Sequence, residues 1–345
     1  MDGPESGVVP AVESTADDIT AMRIRGAAAI ADAAATALAT QAERSTADSP
    51  AAFEQELRAA AATLYETRPT AVSLPNALRY VLRGMDGDTV AALRSSTITR
   101  AERFTRDLAQ AQDRLGEIGS HRLQDGDTVL THCHSTDALA CVEAALEAGK
   151  ELEAIVKETR PRKQGHITAR QLREWDVPVT LIADNAARRY LDRTDHVLVG
   201  ADSIAADGSV INKIGTSGLA VNARERGVPV MVAAQTIKLH PDTMTGHTVE
   251  IEMRSERELL SDEERAAIIG DATDGDADAK TKPTGDVDQA PVTDSGLTVE
   301  NPAFDVTPPR YVDAIVTERG QFPPESIVTL MRELFGEPTD DPWES

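Results

Sequence analysis

Aromatic side chains are scarce in this sequence: Phe, Trp and Tyr together make up 3% of its 345 residues. Lysine is scarce too, with 7 lysines against 28 arginines. No apolar run reaches the roughly 18 residues that crossing a bilayer requires. The acidic stretch 1–18 lacks the basic start and apolar stretch of a secretory signal. Cysteine is limited to Cys133 and Cys141, too few for a disulfide framework, so a reduced compartment, the cytoplasm, is expected. Basic charge is in deficit as well: 58 acidic residues outweigh 35 basic ones and leave a formal net charge of -23. Such a field disfavours nucleic acid and anionic membranes as partners. An acidic, lysine-poor, alanine-rich surface fits work in concentrated salt. The sequence also lacks a GxGxxG after its first strand, a GxxxxGK[ST] loop and HExxH, which removes most of the case for dinucleotide, nucleoside triphosphate and zinc-protease chemistry.

The hydrophobic fraction of 41% is enough for a real core, and the length fits one large or two ordinary domains. Residues 16–115 carry Ala and Leu at helical spacing, in 27–38, 51–64, 77–82 and 90–115, with Pro69 and Pro75 interrupting. Residues 1–115 therefore read as an all-helical domain. From Asp125 onward short apolar runs alternate with helical stretches. Strands are predicted at 128–131, 152–157, 179–183, 196–200, 228–233 and 311–317. Helices are predicted at 136–148, 169–175, 186–192, 217–226 and 325–335. This α/β alternation predicts a Rossmann-like, doubly wound parallel sheet in a second domain, 116–345, with ligands bound beyond the carboxyl ends of its strands. Residues 271–296 are an acidic insert rich in Asp, Gly and Thr, expected as a solvated loop. Its Asp274–Asp278 run resembles a calcium loop, but Gly285 stands where the closing Glu belongs, so no calcium site is expected.

The strand ends carry the chemistry. The first predicted strand ends in Thr131-His132-Cys133-His134-Ser135 just before a helix. A helix N-terminus lowers a thiol's pKa and suits Cys133 to proton transfer, although a lone Cys is more often a small buried hydrophobe. Cys141, inside the following helix, reads as packing. His132 and His134 flank Cys133, but neighbours on a strand point to opposite faces and no second cluster lies nearby, so no metal is implied. The fourth strand ends in Gly200-Ala201-Asp202, a carboxylate suited to general acid work if burial raises its pKa. Asn212-Lys213-Ile214-Gly215-Thr216 opens a helix and reads as an anion site. Lys238 follows the fifth strand. Arg25-Gly26-Ala27-Ala28 precedes a helix, and Arg68-Pro69-Thr70 breaks one. Singly these cations read as solvated surface. Together they flank a Cys/Asp pair as if to hold two anionic groups of a small substrate.

These segments, with Glu158-Thr159-Arg160-Pro161, occur in an order and spacing that resembles the superfamily of translation initiation factor 2B alpha, beta and delta subunits and related sugar-phosphate isomerases. The resemblance spans about residues 19–335. It implies an enzyme, since the regulatory subunits usually lack the Cys and the Asp. Lys238 and the stretch 248–254 look most like the ribose-1,5-bisphosphate isomerase family, which makes ribulose 1,5-bisphosphate in nucleoside (AMP) catabolism. A methylthioribose-1-phosphate isomerase and a non-catalytic subunit are the alternatives. The resemblance implies Cys133 and Asp202 as the catalytic pair. Arg25, Gly26, Ala27, Ala28, Arg68, Ser135, Asn212, Lys213 and Lys238 would hold substrate. It implies no metal and no organic cofactor, a homo-oligomer of at least two and by family a hexamer, and a nucleotide such as AMP as activator. A protonated Asp202 would open the sugar ring and a Cys133 thiolate would move the C2 proton to C1 through an enediolate-like intermediate. A hydride shift is the rival route.

Overall fold

The computed structural model describes residues 7–24, 26–68, 72–241, 243–269, 296–335 and 343. Arg25, Pro69–Ala71 and residues 271–295 of the acidic insert, the calcium-like run included, lie outside them.

Five helices open the chain: α1 (Pro10–Thr20), α2 (Ala27–Arg44), α3 (Pro50–Tyr65), α4 (Ser73–Leu82) and α5 (Val90–Ser120). α1 starts ahead of the predicted helical region, with Pro10 in its first turn, where the fixed φ of proline is already helical. Pro75 does not interrupt α4. It occupies the first turn, whose N–H groups have no intrahelical partner in any case. Ser49 and Thr89 cap α3 and α5 through their side-chain oxygens. The inner face of α2 is built from Ala31, Ala34, Ala35 and Leu38, all fully buried. Three of those four side chains are methyl groups, so α4 and α5 approach closely.

α5 continues past residue 115 and crosses α6 (Thr136–Glu147) of the second region. A Cβ on Gly119 would stand 2.2 Å from Cys141 Sγ, so this crossing exists only because that position has no side chain. Cys141 is fully buried there, in the packing role its surroundings predict.

The remaining elements are β1 (Thr128–Thr131), β2 (Glu153–Lys157), α7 (Gln164–Glu174), β3 (Val179–Ile182), α8 (Ala187–Tyr190), β4 (His196–Gly200), β5 (Ser203–Ala205), β6 (Val210–Lys213), α9 (Thr216–Arg226), β7 (Val230–Ala233), β8 (Leu239–His240), α10 (Asp262–Ile269), β9 (Phe304–Thr307), β10 (Ala314–Thr317), β11 (Gly320–Phe322) and α11 (Ile327–Phe335). Seven strands form one sheet in the order β11-β10-β7-β4-β1-β2-β3, parallel except for β11 at one edge. Its interior positions, Leu130, Ile155, Val199 and Val232, are buried, as expected of a sheet covered on both faces. Taken along the chain, the six parallel strands run 3-2-1-4-5-6, and the order reverses between β1 and β4. Open sheets of this kind receive ligands at the carboxyl ends flanking such a reversal. Cys133 follows β1 and Asp202 follows β4, so the two sit on either side of it.

A second sheet, β8-β5-β6-β9, was not expected from the sequence. Its strands are two to four residues long, too short for a pattern, and β6 pairs with β9 across about ninety residues of chain. Among the described residues no helix is long and apolar enough to cross a membrane.

Candidate active site

Cys133 stands just beyond β1 with φ 71°, a left-handed conformation that costs a non-glycine residue about 1 kcal/mol. Two threonine hydroxyls hold its backbone there. Cys133 N–H donates to Thr159 Oγ1 at 2.9 Å, and Thr168 Oγ1 donates to the Cys133 carbonyl at 2.8 Å. Thr159 is fixed in turn, because Asp184 accepts the backbone N–H groups of Thr159 and Arg160 at 2.9 and 2.7 Å. α7, which carries Thr168, lies so close to β2 that a Cβ on Gly165 would come within 1.8 Å of the Lys157 carbonyl. Neither Thr168 nor Asp184 stands out in the sequence, and Thr159 does so only as part of a motif.

Burial pushes the Cys133 thiol up to about 11, and Asp202 pushes in the same direction. The His134 backbone N–H and the charge of Lys213 pull it back only in part. This corrects the expectation of a depressed thiol: the side chain is 9% exposed, and desolvation outweighs the helix start. Ser135, expected to hold a phosphate, caps α6 by accepting the Ala138 N–H at 3.2 Å.

Burial also raises the Asp202 carboxyl, against the pull of Lys238, Lys213 and Arg254. Asp202 is nonetheless an exposed residue, open to a cavity of about 510 Å³. What fills that cavity therefore sets how far the rise goes. Gly26, Ala27 and Arg68 line it from the helical part, and Glu252 and Arg254 from the stretch before α10. Gly26 precedes α2 with φ 91°, which favours glycine at that corner. In the sequence Arg254 stood out only as the end of the stretch 248–254. Its Nε lies 3.2 Å from Glu252 Oε1, off the hydrogen-bond direction, and has no hydrogen-bond partner. The structure thus gathers Gly26, Ala27, Arg68 and Asp202 around one cavity and adds Arg254. Ala28, Cys133, Ser135, Asn212, Lys213 and Lys238 do not line it. Cys133, Lys213 and Lys238 are within electrostatic reach of Asp202.

Two expected anion sites are already occupied by carboxylates of the chain. Lys238 Nζ lies 2.9 Å from Asp137 Oδ2, a carboxylate that is 1% exposed and also accepts from Gln235 Nε2 at 2.8 Å. The start of α9 is capped by Asp305, which accepts the N–H groups of Gly215 and Ser217 at 2.7 and 3.1 Å. Pairing of β9 with β6 delivers Asp305 to that spot. Lys213 donates to the Ala303 carbonyl at 3.0 Å and lies over the Phe304 ring, and Asn212 Nδ2 donates to Thr216 Oγ1.

His132 is driven down to about 4 by burial first and the charge of Lys157 second. Its Nε2 lies 2.8 Å from the Ile214 carbonyl, which only accepts, so Nε2 carries the proton and Nδ1 faces Thr159 Oγ1. A folded value below the ordinary 6.5 means the native state binds fewer protons than the unfolded one. This contribution is complete above pH 6.5 and is lost as pH falls toward 4, on the order of 3 kcal/mol. Urea midpoints measured between pH 7 and 4 should fall more steeply in the wild type than in His132→Gln. Parallel slopes would contradict this origin.

The sequence profile of the Initiation factor 2 subunit family matches residues 23–324. The chain belongs to that family. Within the Initiation factor 2 subunit family it is 76% identical over 344 residues to a Haloterrigena turkmenica protein named ribose 1,5-bisphosphate isomerase, with 100% of both chains covered. A Thermococcus kodakarensis protein of the same name is 45% identical, covering 98% of this chain and 99% of that one. The crystal structure of 5-methylthioribose 1-phosphate isomerase from Pyrococcus horikoshii matches with a TM-score of 0.67 at 32% identity, covering 94% of this chain and 87% of that chain. Helices followed by a largely parallel sheet are thus the fold of Initiation factor 2 subunit family members and of this chain alike.

Proposed function

We propose that the protein is an isomerase converting ribose 1,5-bisphosphate to ribulose 1,5-bisphosphate. The observation that carries this is the 76% identity, over the whole chain, to a relative of that name. In the proposed reaction Asp202 gives its proton to the ring oxygen and the C1–O bond to the ring breaks. Cys133, ionised, takes the C2 proton, and the electrons of that bond form a C1–C2 double bond. The C2 hydroxyl proton then passes to Asp202 as the ketone forms, and Cys133 returns its proton to C1. Both groups end as they began. The raised carboxyl fits an acid. The raised thiol means that Lys213 must help Cys133 give up its proton. Arg68 and Arg254 would meet the phosphates, with Gly26 and Ala27 beside them. Because Lys238 is held by Asp137, discrimination from a methylthio sugar falls mainly to those arginines.

The same reading extends to a Rossmann-like second domain, supported by the 3-2-1-4-5-6 order of the parallel strands, after a helical domain in 1–115. It extends to an assembly of two copies or more, up to a hexamer, supported by exposed Met244, Met253 and Ile268. A place in nucleoside catabolism, a nucleotide activator such as AMP, a cytoplasmic location and work in concentrated salt complete it. The test is to incubate the protein in high salt with ribose 1,5-bisphosphate or methylthioribose 1-phosphate and follow ketose by NMR. Conversion of the bisphosphate alone is expected. Conversion of the methylthio sugar alone, or of neither by folded protein with and without AMP, would overturn the reading.

A further inference from the structure

Two histidines flank Cys133, and the proposed reaction uses neither. Each ring meets one of the threonines that hold Cys133. His132 Nδ1 lies 3.2 Å from Thr159 Oγ1, and His134 Nδ1 lies 3.1 Å from Thr168 Oγ1. A hydroxyl has one proton, so its other partners fix the direction of each contact. Thr168 gives its proton to the Cys133 carbonyl, which can only accept. His134 must therefore donate to Thr168 from Nδ1. Thr159 instead accepts the Cys133 N–H, and its own proton faces His132 Nδ1 and the Lys157 carbonyl. His132 Nδ1 is bare, because Nε2 donates the ring proton to the Ile214 carbonyl. The two rings thus sit in opposite tautomers, and each turns its threonine the way Cys133 needs it. Thr159 and Thr168 are both buried, which leaves water little room to replace either ring.

We propose that His132 and His134 are positioning residues, which act through Thr159 and Thr168 to hold Cys133 in its left-handed conformation and so set where its sulfur meets the substrate. The inference rests on the isomerase reading with Cys133 as the base. The backbone at Cys133, with φ 71°, and at Thr159, with φ 64°, is unfavourable for residues with a side chain and needs such support. Displacing a reacting atom by about 1 Å can cost about 10²-fold in rate. The cavity at Asp202, with Arg68 and Arg254, is lined by neither histidine and neither threonine. A loosened clamp should therefore lower kcat and leave KM alone.

The tautomers are measured on the full-length protein, labelled with 15N-histidine, at about pH 8, where both rings are neutral because burial lowers their pKa values. The ring nitrogen shifts should place the proton on Nε2 of His132 and on Nδ1 of His134, each signal assigned by its loss in His132→Gln or His134→Asn. The reverse tautomer at either ring would overturn the proposal. Kinetics with ribose 1,5-bisphosphate form the second arm. Thr168→Val keeps the shape of threonine without the hydroxyl and should lower kcat by about 30-fold, with KM within about twofold of wild type. Thr168→Ser should bring kcat back to within about threefold of wild type. His134→Leu should lower kcat by about fivefold alone and hardly at all in Thr168→Val, since its effect passes through that hydroxyl. Additive losses, or an unchanged kcat in folded Thr168→Val, would overturn the proposal. If Thr168→Val does not fold, His134→Asn decides against His134→Leu. The Asn Nδ2 can donate in place of the ring, so this variant should be the more active, and equal activity would overturn the proposal. A wild type without turnover would overturn the isomerase reading, and the tautomers would still decide the clamp.

Discussion

Replacing Cys133 by Ser should lower kcat by about 10³-fold and leave KM nearly unchanged, because the variant loses an ionisable base while keeping its position. Thr159 and Thr168 hold residue 133 by its backbone N–H and carbonyl, not by its sulfur, so a serine is carried to the same place in the same left-handed conformation. An alcohol ionises far less readily than a thiol, and the burial that pushes Cys133 up to about 11 acts on the alcohol as well. Steady-state kinetics with ribose 1,5-bisphosphate checks this. Turnover within about tenfold of wild type would mean that the base has been misassigned.

Asp202→Asn should lower kcat by about 10²- to 10³-fold without raising KM. The amide has the size of the acid and keeps the backbone N–H bond to the Ile211 carbonyl at 2.9 Å. It cannot hand a full proton to a ring oxygen. It is uncharged like the protonated acid it replaces, and Arg68 and Arg254 remain in the cavity, so an anionic substrate should bind about as well. A variant with weakened binding and intact turnover would make Asp202 a binding group instead of an acid.

The parts of the fold that were legible in the sequence are those whose burial writes a long local pattern. β1 and β4 fall on their predicted bounds because each is a central strand covered on both faces and opened by a polar residue. α9 starts one residue early and ends on its predicted bound, and the helical N-terminal region was clear from its alanines and leucines. The β5–β6–β9 sheet left no such trace. Its strands are short, and β9 comes from the far side of the insert. The same distance hid Asp305, so a helix start that resembled an open anion site proved to be capped. Lys238 resembled a free cation because Asp137 lies about a hundred residues earlier. The hydroxyl clamp on Cys133 was invisible for a related reason. Thr159 and Thr168 look like ordinary loop and helix residues until β2 and α7 bring them to the end of β1. The effect of burial on Cys133 is likewise tertiary, which is why a helix start alone predicted the wrong direction for its thiol.

The most direct test of the proposed chemistry uses ribose 1,5-bisphosphate deuterated at C2, converted in ordinary water with NMR detection at C1 of the product. Transfer through the Cys133 sulfur predicts that part of the deuterium is replaced by solvent hydrogen, because a thiol proton exchanges with water and Cys133 is 9% exposed. Complete retention of deuterium at C1 through full conversion would contradict a proton carried by Cys133 and favour a direct hydride shift.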